Sequence, residues 1–455
     1  MTAPAREAAY KVLRDVHTGR ENLPQAQAEV NKKLSDPRDR ALASEIVMGT
    51  LRWRATLDTI LGQVSTRPLD TLDDEILDLL RASTYQILYL DRVPSHAVIN
   101  DSVSQARTCG KHSASGFVNA VLRSVSRQAK KFYLPPRPNK THIPSKDVDI
   151  KILLDYLSTT LSHPRWLVKR WLNRYGFEAT ETWAQFNNKP APIALRVNTV
   201  KTTTNALIDK LGNRGVNVQL GRWSPLTLIV IDGNPLTTPE AKEGLFLIQN
   251  EASQLVAQLV QAKPGDKVLD ACASPGGKTL AIAGNMSDNG LLVAGDLRKK
   301  RLALLLDILS RCSTQCTNTV LFDLKYPPFN SVFNRVLVDT PCSGLGTIRR
   351  DPDIRWKLHP EELPILGTMQ LELLNAAATV VVPGGQLVYA TCSSEPEENQ
   401  EVIERFLKSH PSFALNREVP LELEPFMDNN WHFQTLPFRD QLEAFFAVSM
   451  KRDAI

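Results

Sequence analysis

The chain has little cysteine. Six occur in 455 residues, at Cys109, Cys272, Cys312, Cys316, Cys342 and Cys392. No Cys-x-x-Cys pair is followed by a second pair or by a histidine pair, so neither a disulfide framework nor a structural zinc site is expected, and no metal. Long apolar runs are also missing: none approaches the roughly 18–20 residues that a membrane span requires. At the start, Arg6, Glu7, Lys11 and Arg14 interrupt the region where a secretory signal is apolar. These absences exclude membrane-embedded and disulfide-stapled secreted classes and lead to the expectation of a cytoplasmic protein. Acidic residues are absent from Ser102 to Lys146, a stretch that contains Arg123, Arg127, Lys130 and Lys131. The net charge of +5 is therefore less informative than its distribution.

What is present is ordinary globular material, 42% hydrophobic and 23% charged, enough for real cores. At about 150 residues per domain, the length implies two to four domains. Residues 1–131 read as helix after helix: Ala8, Val12 and Val16, then Ile76, Leu79, Leu80, Ser83 and Ile87, recur at helical spacing. Residues 132–149 hold four prolines and read as a linker. A small α+β unit is expected over 150–239, with strands at Ile193–Asn198 and Leu226–Ile231. From 240 to 455, apolar strands alternate with helical segments, the pattern of a parallel sheet covered on both faces. Five strands, at 267–272, 291–296, 319–323, 335–339 and 386–392, with two more near 431–436 and 444–450, predict a seven-stranded, doubly wound, Rossmann-like domain.

The segment Cys272-Ala273-Ser274-Pro275-Gly276-Gly277-Lys278 follows the first of these strands and opens a helix, where glycine allows a ligand close to backbone. The phosphate-binding Walker pattern would need glycine at Cys272, and G-x-G-x-x-G is absent, so nucleoside binding without pyrophosphate recognition is expected. Asp270, Asp296, Asp323 and Asp339 stand at or near strand ends. Any one of them reads equally as a helix cap, but their recurrence points to a carboxylate-lined crevice. Such a crevice suits a cationic, ribose-bearing ligand such as S-adenosylmethionine. Cys342 and Cys392 follow the fourth and fifth strands; if those are neighbours, about 4.8 Å apart, both thiols reach one crevice. The other four cysteines read as small buried hydrophobes. A methyl-donor pocket, thiols and a carboxylate together fit methylation of a pyrimidine at carbon 5, which becomes nucleophilic only after a thiolate adds at carbon 6. Asp339 is placed to stabilise charge at ring nitrogen 3.

At these residues the sequence resembles the RNA cytosine-C5 methyltransferases, and along its whole length the bacterial 16S ribosomal RNA methyltransferase B family. The motifs are Asp270–Thr279, Asp339-Thr-Pro-Cys-Ser-Gly, Arg349-Arg-Asp-Pro-Asp-Ile-Arg-Trp, and Thr391-Cys-Ser followed by Glu398-Asn399. The resemblance implies that Cys392 is the nucleophile and that Cys342 assists product release. It implies that Asp339 faces the reacting centre, and that Cys272–Lys278, Asp296, Asp323 and Asp339 bind S-adenosylmethionine. The amino-terminal part resembles a NusB-type helical RNA-binding domain, and the middle unit the family's RNA-binding insertion. Glu443-Ala444 stand where Asp-Gly is usual, and Asp351 where His is common. The expected partner is 16S rRNA, bound by a monomer away from any membrane, with Arg127, Lys130 and Lys131 contacting phosphates. A tRNA substrate and a non-catalytic assembly role are the alternatives; the NusB-like part favours rRNA over the first, and the two strand-end thiols argue against the second.

Overall fold

A computed structural model of the chain describes residues 3–129, 131–139 and 147–454. They form two compact units. The first comprises the chain up to Pro190 together with the distant segment Ile348–Leu358; the second contains Ala191–Thr347 and His359 onward.

The first unit is helical, as the spacing of apolar residues predicts. The helices Pro4–His17 and Asp74–Tyr89 bury Val12, Val16, Ile76, Leu79, Leu80 and Ser83. The compact units divide at Pro190/Ala191 rather than within the proline-rich stretch, because the helical segment Arg165–Asn188 packs into this first unit. Trp171 and Trp183 on it are fully buried and stack with centroids 4.4 Å apart. Gly176, at φ +77°, breaks the helical path between them, a conformation that glycine adopts without penalty.

The segment Ile348–Leu358 completes the same unit. Arg355 is fully buried, donating from Nη1 to the Ser162 carbonyl at 2.9 Å and to Asn188 Oδ1 at 3.1 Å. Trp356 Nε1 donates to the Leu51 carbonyl at 2.7 Å. Burial pushes the Arg355 guanidinium well below its usual pKa, since its hydrogen-bond acceptors are neutral. Arg355→Ala is expected to remove these donors and leave a hole, destabilising the unit by about 3–5 kcal/mol, read as a lowered denaturation midpoint.

The second unit carries two sheets. Strands β1 (Ala194–Val197), β2 (Asn217–Leu220), β3 (Thr227–Asp232) and β4 (Phe246–Ile248) form an antiparallel sheet in the order β2-β3-β1-β4. The helix Thr204–Gly212 packs Leu207 and Leu211 with Leu195, Leu228 and Phe246 from that sheet. The larger sheet contains β5 (Lys267–Asp270), β6 (Leu291–Asp296), β7 (Thr317–Leu321), β8 (Phe333–Asp339), β9 (Val381–Thr391), β10 (Phe413–Leu415), β11 (Phe433–Thr435) and β12 (Phe445–Arg452). Its order is β10-β12-β9-β8-β5-β6-β7, with β11 also paired to β12. There are thus eight strands among the described residues, not seven. The additional one, β10, is a three-residue edge strand too short to show alternation.

Strands β5 to β9 run parallel, and β12 lies antiparallel to β9. Residues alternate between two apolar cores: Val268, Leu337 and Val388 on one face, Leu269, Val336, Val338 and Tyr389 on the other. That explains the near-continuous apolar strands. After β7 the chain crosses back to place β8 on the far side of β5, so the order reverses at the β5/β8 boundary. Ligand crevices of such sheets open there, beyond the strands' carboxyl ends. No described helix is long and apolar enough to cross a membrane.

Candidate active site

The parallel register decides which residues reach the crevice. Leu337 pairs with Asp270, so Asp339 extends two residues past it; Asp339 in turn pairs with Ala390, two residues before Cys392. Cys342 lies three residues beyond Asp339, on the neighbouring strand's loop. The two sulfurs stand 3.2 Å apart, both as free, half-buried thiols. The loops are fastened to each other: the Gly346 amide donates to the Cys392 carbonyl at 2.9 Å, and the Ala444 amide to the Gly346 carbonyl at 3.0 Å. A Cβ on Gly346 would sit 1.8 Å from the Ala444 carbonyl oxygen, so this approach requires glycine. Ala444, where the family pattern has glycine, is accommodated and almost fully buried.

Lys278, from the glycine-rich loop, reaches the same place. Its Nζ lies 2.6 Å from Asp339 Oδ2 and 5.5 Å from the centroid of the Phe445 ring. Burial alone would lower the Lys278 pKa, but the Asp339 carboxylate, with Cys392 and Asp270, raises it, and the net shift is upward. Lys278 is therefore a cation beside the thiols as well as a member of the ligand loop. The Cys342 thiol is held well above its usual pKa by its contact with Cys392, by burial, and by the negative field of Glu398.

The loop turns at Gly276, φ +110°, and the helix Gly277–Asn285 begins there. Ala273, Ser274, Pro275, Gly277, Lys278 and Asp339 line a cavity of about 290 Å³, walled on another side by Gln249. Cys272 and Gly276 do not line it; the Cys272 thiol packs against the core, and burial pushes its pKa up. Asp296 is buried beside the Arg301 guanidinium, 3.2 Å away, and Asp323 lies past the end of β7, accepting the Lys325 amide at 3.0 Å. The parallel pairing of Asp296 with Leu321 nevertheless puts both acids at the carboxyl edge of the sheet.

Two further groups line it: Asp270, one of the strand-end acids expected at the crevice, and Gln249, to which the sequence gives no role. Asp270 accepts from Thr279 Oγ1 at 2.7 Å through Oδ2, while its buried Oδ1 has no partner; Gln249 Oε1 is buried without one as well. Nothing marks Gln249 in the sequence, since only the chain's return through β4 brings it to the loop. Burial pushes the Asp270 carboxyl up to about 7. A carboxyl raised in the folded state favours folding where it is protonated, and that contribution is lost as pH rises from the unfolded value, near 4, through about 7. Asp270→Asn is therefore expected to flatten the fall in stability between pH 5 and 8 and to gain roughly 2–4 kcal/mol at pH 8, measured by denaturation of the ligand-free protein.

Of the proposed phosphate contacts, Arg127 and Lys131 are exposed, and Lys130 lies outside the described residues. The acid-free stretch is not acid-free in space. Lys111 pairs with Asp73 at 2.9 Å and Arg137 with Glu181 at 2.7 Å, which leaves fewer cations for another polyanion.

Comparison with known proteins divides the chain in three. Residues 3–127 match the NusB family, 163–237 the ferredoxin-like domain of RsmF/B-like methyltransferases, and 257–451 the 16S rRNA methyltransferase RsmB/F model. A doubly wound methyltransferase domain behind these two added modules defines an RNA methyltransferase. The probable ribosomal RNA small subunit methyltransferase B of Bacillus subtilis is 34% identical over 93% of this chain and 92% of its own. The Pseudomonas putida ribosomal RNA small subunit methyltransferase B is 33% identical over 92% of each chain. The crystal structure of PH0851 superposes with a TM-score of 0.81 at 25% identity, covering 99% of this chain and all of that one. The chain belongs to the ribosomal RNA small subunit methyltransferase B family.

Proposed function

We propose that the protein transfers a methyl group from S-adenosylmethionine to carbon 5 of a cytidine in 16S rRNA, through a covalent bond between Cys392 and the base. It acts as a monomer in the cytoplasm, with residues 1–131 and 150–239 as RNA-binding modules joined by 132–149, and 240–455 as the catalytic domain. The contact between the Cys342 and Cys392 sulfurs carries this reading. Two thiols at adjacent strand ends, beside an ion-paired carboxylate, serve a reaction that needs one sulfur to attack and a second group to let go.

The residues present fit the methyl donor. The cavity is walled by a loop that approaches a ligand through backbone, and the unpartnered Asp270 Oδ1 offers an acceptor at its floor. Residues Cys272–Lys278, Asp296, Asp323 and Asp339 would hold the donor, with Asp296 exchanging Arg301 for ribose hydroxyls. When bound, S-adenosylmethionine supplies an electrophilic methyl group and a neutral thioether leaving group.

The chain's own residues then act in order. As the Cys392 sulfur bonds to carbon 6 of the cytosine, its thiol proton passes by way of Asp339, held by Lys278, to ring nitrogen 3 and neutralises the negative charge gathered there, so that carbon 5 becomes the nucleophile. After carbon 5 has gained its methyl group it gives up its proton to solvent, and the carbon 5–carbon 6 double bond re-forms as the sulfur–carbon bond breaks. Ring nitrogen 3 returns its proton by way of Asp339 to the departing Cys392 sulfur, and Cys342 assists release by stabilising that sulfur. The target base has to be single-stranded or extruded to meet the thiol.

The deciding experiment incubates the protein with labelled S-adenosylmethionine and either deproteinised 16S rRNA or tRNA, then maps 5-methylcytidine. Label at one 16S cytidine supports the reading; label confined to tRNA, or at an atom other than carbon 5, overturns it. Neutralising Arg127, Lys130 and Lys131 together is expected to lower the slope of log affinity against log salt by about 2. An unchanged slope removes these residues from the interface.

A further inference from the structure

Glu398 lies in the motif shared with cytosine-C5 methyltransferases, but no role attaches to it. Its side chain is fully buried, one short turn after the Cys392 loop, in a place where an uncompensated carboxylate would be costly. Compensation comes from four donors. Oε1 accepts the Ser343 amide at 2.8 Å and Gln370 Nε2 at 2.9 Å; Oε2 accepts Ser343 Oγ at 2.5 Å and the Ser393 hydroxyl. Ser343 is the neighbour of Cys342, and Ser393 is the neighbour of Cys392. Those two serines also touch, Oγ to Oγ at 3.1 Å. The Glu398 main chain is pinned separately, its carbonyl accepting the Tyr389 hydroxyl at 2.6 Å from within β9.

One carboxylate thus grips both loops at the residue next to each cysteine. We propose that Glu398 is a positioning residue for methyl transfer: by tying Ser343 to Ser393 through its two oxygens, it sets the contact between the Cys342 and Cys392 sulfurs. This inference rests on the proposed function for its purpose, but the geometry it asserts is testable without RNA or reaction. The negative charge of Glu398 also contributes to the raised pKa of Cys342, and that contribution separates from positioning by substitution. Glutamine keeps Oε1 as an acceptor for the Ser343 amide and Gln370, while its new NH2 donates to two serine hydroxyls that turn round to accept. Alanine removes the grip altogether.

The test uses phenylarsine oxide, which bridges two thiols only when their sulfurs are close, on the full chain, with Cys342→Ala identifying the signal from this pair. Glu398→Gln is expected to bridge within about threefold of the parent affinity, and Glu398→Ala at least about tenfold more weakly. S-adenosylmethionine affinity should stay within about threefold in both variants, as the donors to the Glu398 carboxylate, Ser343, Gln370 and Ser393, lie outside the cofactor loop. Methyl transfer should fall in kcat for Glu398→Ala with KM for the methyl donor little changed, and recover in Glu398→Gln. Unchanged bridging in Glu398→Ala overturns the proposal, as does equal loss in the two variants, which would make the charge and not the tether responsible. Loss of cofactor affinity in Glu398→Ala overturns it too, since the residue would then support the whole domain. Bridging that behaves as expected in a protein that leaves cytidine unmodified refutes the proposed reaction and leaves the tether standing.

Discussion

Cys392→Ala is expected to abolish methyl transfer, by at least about 10⁴-fold in kcat, and to form no covalent complex with RNA. Carbon 5 of cytosine has no nucleophilic character to fall back on until a sulfur has added to carbon 6, so removing that sulfur blocks the first step. The substitution should leave cofactor binding intact, because Cys392 is half-buried at the end of β9 and does not line the cavity beside the glycine-rich loop. Denaturing gel electrophoresis with labelled RNA separates the two readouts. An adduct formed by Cys392→Ala would reverse the roles of the two cysteines.

Cys342→Ala should do the opposite and accumulate the adduct. The attacking sulfur, Lys278 and Asp339 all remain, so addition to the base proceeds, while release loses the group that lies 3.2 Å from the departing sulfur. Turnover should fall at least about 100-fold, with a burst of no more than one methyl group per protein and most of the protein migrating with RNA. Multiple turnovers without any retained complex would take Cys342 out of the release step. The pair of variants is informative because both thiols are half-buried and in contact, yet neighbouring strands present them.

Much of this was legible in the chain. The period of Ile76, Leu79, Leu80 and Ser83 marks a buried helix face, and the unbroken apolar runs around Leu269 and Val336 mark a sheet covered on both sides. Cys342 and Cys392 meet because each follows a strand, and those strands turn out to be neighbours. What stayed hidden depends on long-range packing. Lys278 reads as part of a ligand loop, and only the fold shows it paired with Asp339, 61 residues away. Gln249 has no local signature, and Glu398 shows in the sequence only as part of a motif, without its grip on both cysteine loops, since that depends on Ser343 and Gln370 from elsewhere in the chain. The acid-free stretch is only partly acid-free in space for the same reason: Asp73 and Glu181 arrive from elsewhere to pair with Lys111 and Arg137.

The detour of Ile348–Leu358 has a consequence for how the protein is made. The amino-terminal helices leave the ribosome first, yet the place occupied by Arg355 and Trp356 stays unfilled until roughly 170 further residues have been added beyond Pro190. At about 5–20 residues per second that interval lasts roughly ten to thirty seconds. During it, the carbonyls of Leu51 and Ser162 wait for donors still to be translated. The last part of the helical unit to close is thus supplied by the chain that has just left the Cys342 loop, and a nascent chain halted before Ile348 should show the helices present but open to proteolysis around Ser162.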